Sequence, residues 1–140
     1  MERTLAILKP DSVAAGKAGA IIAKLQDEGF VVRGLKMLRL SQAQAQAFYE
    51  VHKARPFYGS LVEFMTSGPV IPLALERENA VAHLREVMGA TDVAKAAPGT
   101  VRNLFGTSIE RNAIHGSDSP ENAAIELSFF FSRAELLAAQ

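Results

Sequence analysis

Apolar positions change period several times along the chain, and the changes mark its elements. Residues 3–8 (RTLAIL) form a short apolar run that stops at Lys9-Pro10-Asp11, where Pro10 removes a ladder donor, so a first strand is predicted there. Val13, Ile21, Ile22, Leu25 and Phe30 then recur at near-helical spacing. Asp11 or Ser12 is the expected cap of that helix, and Gly29 its stop. Residues 30–40 (FVVRGLKMLRL) partly alternate apolar and basic side chains, as a strand with one face on a core does. From Ser41, a capping residue, an Ala- and Gln-rich stretch reads as helix, with Phe48, Val51 and His52 sharing a face before Pro56. A further helix is expected over residues 58–66, before a turn at Ser67-Gly68-Pro69.

Residues 70–75 (VIPLAL) are the next strand, which Pro72 places at an edge or a bulge unless its missing donor faces outward. Glu78 or Asn79 opens a helix through Ala80, Val81, Leu84, Val87 and Met88. Residues 89–122 contain Pro98, Pro120 and most of the remaining glycines without sustained periodicity, so they read as a long functional loop. Residues 124–131 (AIELSFFF) restore strand character, and residues 133–140 read as a terminal helix. The order is βαββαβ with extra helices. It predicts an α+β, ferredoxin-like fold: a four-stranded antiparallel sheet with helices packed on one face. No repeat or linker interrupts it, and residues 1–140 are expected to form a single domain.

Composition narrows the function classes. With 49% apolar and 21% charged residues the chain reads as globular, not disordered. Fifteen basic residues balance fifteen acidic ones, so no net field favours nucleic acid or an anionic membrane, and any polyanion site must be local. The absence of cysteine excludes disulfides, thiolate zinc and a thiol nucleophile. The short apolar run near the N-terminus stops at Lys9, too early for a signal peptide or a span, and a cytoplasmic protein is expected.

The densest polar cluster runs from Asn112 to Ser119 around His115, whose neutral ring nitrogen can accept a phosphoryl group. Gly116 would let the backbone approach a bulky anion. Lys9, Arg85, Arg102 and Asn112, with the hydroxyls of Thr91 and Thr100, could cradle a polyphosphate. Without G-x-x-x-x-G-K-[ST], phosphates must be held by separated side chains such as these. His52, beside Lys53 and Arg55, and His83 read as surface histidines.

Six segments, taken together, resemble the nucleoside diphosphate kinase family over essentially the full length. They are Thr4 to Asp11 (TLAILKPD), His52 to Tyr58 (HKARPFY), Ser67 to Val70 (SGPV), Met88 to Thr91 (MGAT), Pro98 to Arg102 (PGTVR) and Asn112 to Ser119 (NAIHGSDS). The resemblance implies a ping-pong transfer of the γ-phosphoryl of a nucleoside triphosphate, typically ATP, to a nucleoside diphosphate through phospho-His115. The sequence leaves the reacting ring nitrogen open; the resemblance implies the pros nitrogen. It further implies that Glu126 orients His115, that Ser117 places a hydroxyl beside it, and that Lys9 acts on the phosphates. Tyr49, Arg85, Thr91, Arg102 and Asn112 match residues around the phosphates and sugar. Phe57 matches a ring that stacks on any base, with Leu61 and Ile109 lining the slot. Mg²⁺ is implied as the cofactor, held mainly by the nucleotide, with Asp118 reaching it through water.

A homo-oligomer is implied too, a tetramer ahead of a hexamer or dimer, with no membrane and no obligatory nucleic acid. Val93 replaces a common proline, Ala97 a polar residue and Arg77 a frequent glycine; the first bears on loop rigidity and assembly, not on chemistry. Two other readings compete. One is a ferredoxin-like module binding RNA or single-stranded DNA through Phe129-Phe130-Phe131 on an open sheet face. The other is a histidine phosphocarrier serving a protein.

Overall fold

The computed structural model describes residues 1–138. Its sheet has the order β2-β3-β1-β4, all pairs antiparallel: β1 Glu2–Leu8, β2 Val31–Leu35, β3 Ile71–Arg77 and β4 Ile114–Gly116. β1 lies inside the sheet, and its side chains divide between two cores. Ala6 and Leu8 pack with Ile21 and Leu25 of α2 (Ala18–Asp27) and with Leu84 and Met88 of α5 (Ala80–Met88). Leu5 and Ile7 face the other way. They meet Ala45 of α3 (Gln42–Phe48), Val62 and Met65 of α4 (Tyr58–Met65), and Leu127 and Phe130 of α7 (Pro120–Phe130). The ferredoxin-like order holds, but helices cover both faces rather than one. A strand buried on both sides reads as a continuous apolar run, which is why residues 3–8 show no alternation.

The fourth strand is not where residues 124–131 placed it. That stretch is α7: Ser119 accepts from the Asn122 N–H, Pro120 starts the first turn, and Ala123, Leu127 and Phe130 are buried at helical spacing while Ile125 and Phe129 are exposed. The edge strand is instead the three residues around His115. The expected long loop therefore has structure of its own. A 3₁₀ turn at Val93–Lys95 is capped by Asp92, and α6 (Val101–Phe105) by Thr100.

The first predicted helix breaks at Gly16, whose φ is +72°, into α1 (Pro10–Ala14) and α2. Neither Asp11 nor Ser12 caps it; both side chains reach across to Ala113. Ser41 does cap α3, in a reciprocal box with Gln44. Val51 leaves the face expected for it and is 86% exposed, on a 3₁₀ turn at Glu50–His52. β2 is shorter than residues 30–40, and Leu38 keeps only an isolated bridge to Val70.

Pro72 lies in an interior strand, not at an edge. Its carbonyl accepts from the Lys36 N–H, so its missing donor faces the same flank, where β2 has already ended. Arg77 is held at the Phe30 ring, 5.6 Å from its centroid, and donates to the Glu28 carbonyl. α8 spans Arg133–Ala138, and the last two residues of the predicted terminal helix lie outside the described residues. Among the described residues no helix is long and apolar enough to cross a membrane.

Candidate active site

β4 pairs with β1 so that His115 is opposite Ile7, and its side chain points toward α7. There Nε2 lies 2.8 Å from Glu126 Oε1, and the Ser117 hydroxyl donates to the same oxygen at 2.9 Å. A carboxylate oxygen accepts, so Nε2 carries the ring proton and Nδ1 keeps its lone pair. Among the described residues Nδ1 has no hydrogen-bond partner. The rings of Phe48 and Tyr49 approach the imidazole edge-on, at 5.6 and 6.3 Å between centroids. Tautomer and ring plane are thus both fixed, and one nucleophilic nitrogen is left for a ligand.

Two cations attach to the chain just before His115. Lys9 follows β1 directly, and its N–H donates to the Ala113 carbonyl. Its Nζ donates to Asn112 Oδ1 at 2.8 Å across 103 residues of sequence, and Asn112 Nδ2 in turn donates to the Thr91 carbonyl at 3.1 Å. Burial pushes the Lys9 ammonium down to about 8, aided by Arg102 and opposed by Asp11 and Glu110. Arg102 is buried as well. Its Nη1 donates to the Gly89 carbonyl at 3.0 Å and its Nη2 to the Ile114 carbonyl at 2.8 Å, while Nε lacks a partner among the described residues. Burial, then the nearby Arg85, lower its affinity for its proton. Arg85, Thr91, Lys95, Thr100 and Arg102 line an open recess of about 380 Å³.

None of Lys9, Arg85 and Arg102 pairs with a carboxylate among the described residues. Buried cations with no ion-pair partner carry a desolvation cost that an added anion would offset, which is the chemistry Lys9 and Arg102 offer. The Lys9 shift gives opposite signs for activity and stability. Between about pH 8 and the ordinary lysine value of 10.5 the unfolded chain binds more protons at Lys9 than the folded one. Its contribution to stability therefore rises with pH over that window. A reaction that needs the charged ammonium should instead lose kcat/KM above about pH 8, which a pH–rate profile paired with pH-dependent melting would detect.

Several site residues have duties that the sequence did not disclose. Gly116 faces the core: a Cβ there would lie 2.8 Å from Met88, so the glycine serves packing and not an anion. The Thr100 hydroxyl is spent on the α6 cap and on the Ala97 carbonyl. Asp118 is exposed and accepts from Asn122 Nδ2 at 2.5 Å. Among the described residues no three His, Cys, Asp or Glu side chains gather as metal ligands.

Phe57 is 46% exposed at the start of α4, where Leu61 is half-buried, while Ile109 is 61% exposed on the facing loop. Arg111, 5.0 Å over the Phe64 ring, ties that loop to α4. A file of rings leads inward from Phe57 to His52, Tyr49 and His115, at 5.5, 6.5 and 6.3 Å. His52 and Phe48 are the residues that sequence reasoning passed over. A histidine among Lys53 and Arg55 carries no sign that it will lie between two rings.

Residues 2–136 match the family described as nucleoside diphosphate kinase. Among similar curated proteins, the nucleoside diphosphate kinase of Chloroherpeton thalassium is 59% identical, over 99% of this chain and 98% of its own. That of Chlamydia abortus is 56% identical, over 98% and 97%. Among solved structures, the Aquifex aeolicus nucleoside diphosphate kinase superposes with a TM-score of 0.93 at 48% identity, covering 96% of this chain and 97% of its own. An Encephalitozoon cuniculi nucleoside diphosphate kinase does so with 0.90 at 31% identity, covering 94% and 89%.

Proposed function

The chain belongs to the nucleoside diphosphate kinase family and acts as a nucleoside diphosphate kinase; from that premise we propose that Nδ1 of His115 carries the phosphoryl group. One observation carries the assignment: Glu126 occupies Nε2 and leaves Nδ1 without a partner among the described residues, while Lys9 and Arg102 bind the Ala113 and Ile114 carbonyls immediately before His115. In the first half-reaction Nδ1 attacks the γ-phosphorus in line, the Nδ1–P bond forms, and the bond to the β-γ bridging oxygen breaks to release the diphosphate. In the second, a terminal oxygen of another nucleoside diphosphate attacks the same phosphorus and Nδ1 leaves. The ring gains positive charge as the N–P bond forms, and Glu126, held by Ser117, is placed to stabilise it.

Lys9, Arg85 and Arg102 neutralise the phosphates, while Asn112 holds Lys9 and offers its position to the sugar. Thr91 and Tyr49 complete the phosphate and sugar contacts. Mg²⁺ held by the nucleotide's own phosphates would supply further charge neutralisation there. The scattered carboxylates fit that arrangement better than a protein-built cage, and exposed Asp118, three residues after His115, is the carboxylate that would reach the ion through water.

Phe57 provides the stacking face for the base, with Leu61 and Ile109 at the slot. Phe57→Ala is expected to raise KM for every nucleotide about 10-fold, with little change in melting temperature because the ring is exposed. Steady-state kinetics with ATP and with GTP as donors check this; a loss confined to one base contradicts it. The activity itself is tested by mixing the protein with ATP and GDP and measuring GTP.

The RNA-binding reading needs an open sheet face, and the described residues leave none. Phe129 and Phe130 belong to α7, and Phe131 packs in the core. A phosphocarrier for proteins would have no use for Phe57 or Asn112, and rapid discharge of the phosphoenzyme by ADP would count against it. Residence in the cytoplasm and assembly into a homotetramer, with hexamer and dimer as the other outcomes, belong to the same reading. Exposed Val31, Leu35 and Met37 on and beside β2, the outermost strand of the sheet, support association of copies, which light scattering measures.

A further inference from the structure

We propose that Asp11 is a positioning residue for this site: its bond to the Ala113 N–H holds the left-handed turn from which Asn112 and His115 are presented. The inference rests on the assignment of His115 and Lys9 above. Ala113 is fully buried at φ +74°, a region that alanine rarely adopts, so its surroundings must impose the conformation. The segment after β1 does so from both sides. Asp11 Oδ2 accepts from the Ala113 N–H at 3.1 Å, and the Ala113 carbonyl accepts from the Ser12 hydroxyl at 2.8 Å and the Lys9 N–H at 2.9 Å. The residue before this turn, Asn112, orients Lys9; the residue two positions after it is His115.

A carboxylate is more than this bond requires, since an amide oxygen also accepts from a backbone N–H, though less strongly. The other oxygen, Oδ1, is buried with no hydrogen-bond partner among the described residues. Its charge acts on Lys9, helping to keep the ammonium protonated against burial and Arg102; Glu110 is the other carboxylate that does so. Asp11 thus contributes geometry and charge, and isosteric substitution separates them.

The test compares the full chain with Asp11→Ala, Asp11→Asn and His115→Asn, measuring kcat and kcat/KM from pH 5.5 to 9.5 with thermal melting of each variant. Asp11→Ala is expected to lower kcat about 10-fold at pH 6. Asp11→Asn should rescue most of that loss, with its alkaline limb about 0.5–1 pH unit below the parent's. Three results would overturn the proposal: an unchanged kcat in Asp11→Ala, an Asn variant no better than Ala at pH 6, or an alkaline limb that stays in place. Should Asp11→Ala fail to fold, the limb of Asp11→Asn decides. Exchange persisting in His115→Asn would instead overturn the site assignment, whatever the Asp11 variants do.

Discussion

Replacing His115 by asparagine is expected to abolish phosphoryl exchange, lowering turnover by at least about 10⁴-fold, while nucleotide affinity stays within about 3-fold. The imidazole contributes the protein's nucleophile, and an amide nitrogen, whose lone pair is delocalised into its carbonyl, does not replace it. Binding depends on other groups, namely the three cations, Asn112 and the exposed ring of Phe57. The side chain is 22% exposed at a sheet edge and packs against Phe48 and Tyr49, so the variant should be only modestly less stable than the parent, by about 1–2 kcal/mol. An ATP–GDP exchange assay alongside calorimetric titration separates rate from affinity. Turnover well above background would refute the role of His115.

Arg102→Ala is the second large effect, and its signature is a split between activity and stability. Two terms oppose each other in the free protein. The substitution leaves the Gly89 and Ile114 carbonyls without their guanidinium donor, at about 1–3 kcal/mol each. It also removes a buried cation that repels Arg85 and Lys9, which returns part of that loss. A net destabilisation of about 1–3 kcal/mol is therefore expected. No such offset exists when triphosphate is bound, so kcat/KM should fall about 10²–10³-fold. Arg102→Lys should recover some stability and little activity, because an ammonium does not span both carbonyls and a phosphate. Thermal scans with and without Mg²⁺-ADP report the same asymmetry: nucleotide should raise the parent's melting temperature far more than the variant's. Equal shifts in both would show that Arg102 does not touch the phosphates.

The chemistry of the site was more legible in the sequence than its architecture. His115, Lys9 and Asn112 stand in polar segments whose residue types state what they can do. Only the β1–β4 pairing, however, places Lys9 on Asn112 and brings Ile7 opposite His115. The strand that carries His115 was invisible because three residues, one of them glycine, make no periodic signal. Its place was taken by AIELSFFF, whose apolar density resembles a strand; the Ser119 cap and the burial of Ala123, Leu127 and Phe130 make it a helix. That helix both closes the second face of the sheet and delivers Glu126 to the imidazole. Gly116 shows the same limit from the other side, since a glycine beside a phosphate site and one beneath Met88 look alike in a sequence. Asp11 read as a cap because its partner lies 102 residues away.

The most direct measurement is the phosphoenzyme itself. After incubation with Mg²⁺ and γ-labelled ATP, each chain is expected to carry one phosphate. By ³¹P NMR and peptide mapping it should lie on Nδ1 of His115, labile to acid, stable to base, and converted quantitatively to GTP on adding GDP. Label that survives acid, maps to another residue, resides on Nε2, or fails to pass to GDP would contradict the assignment.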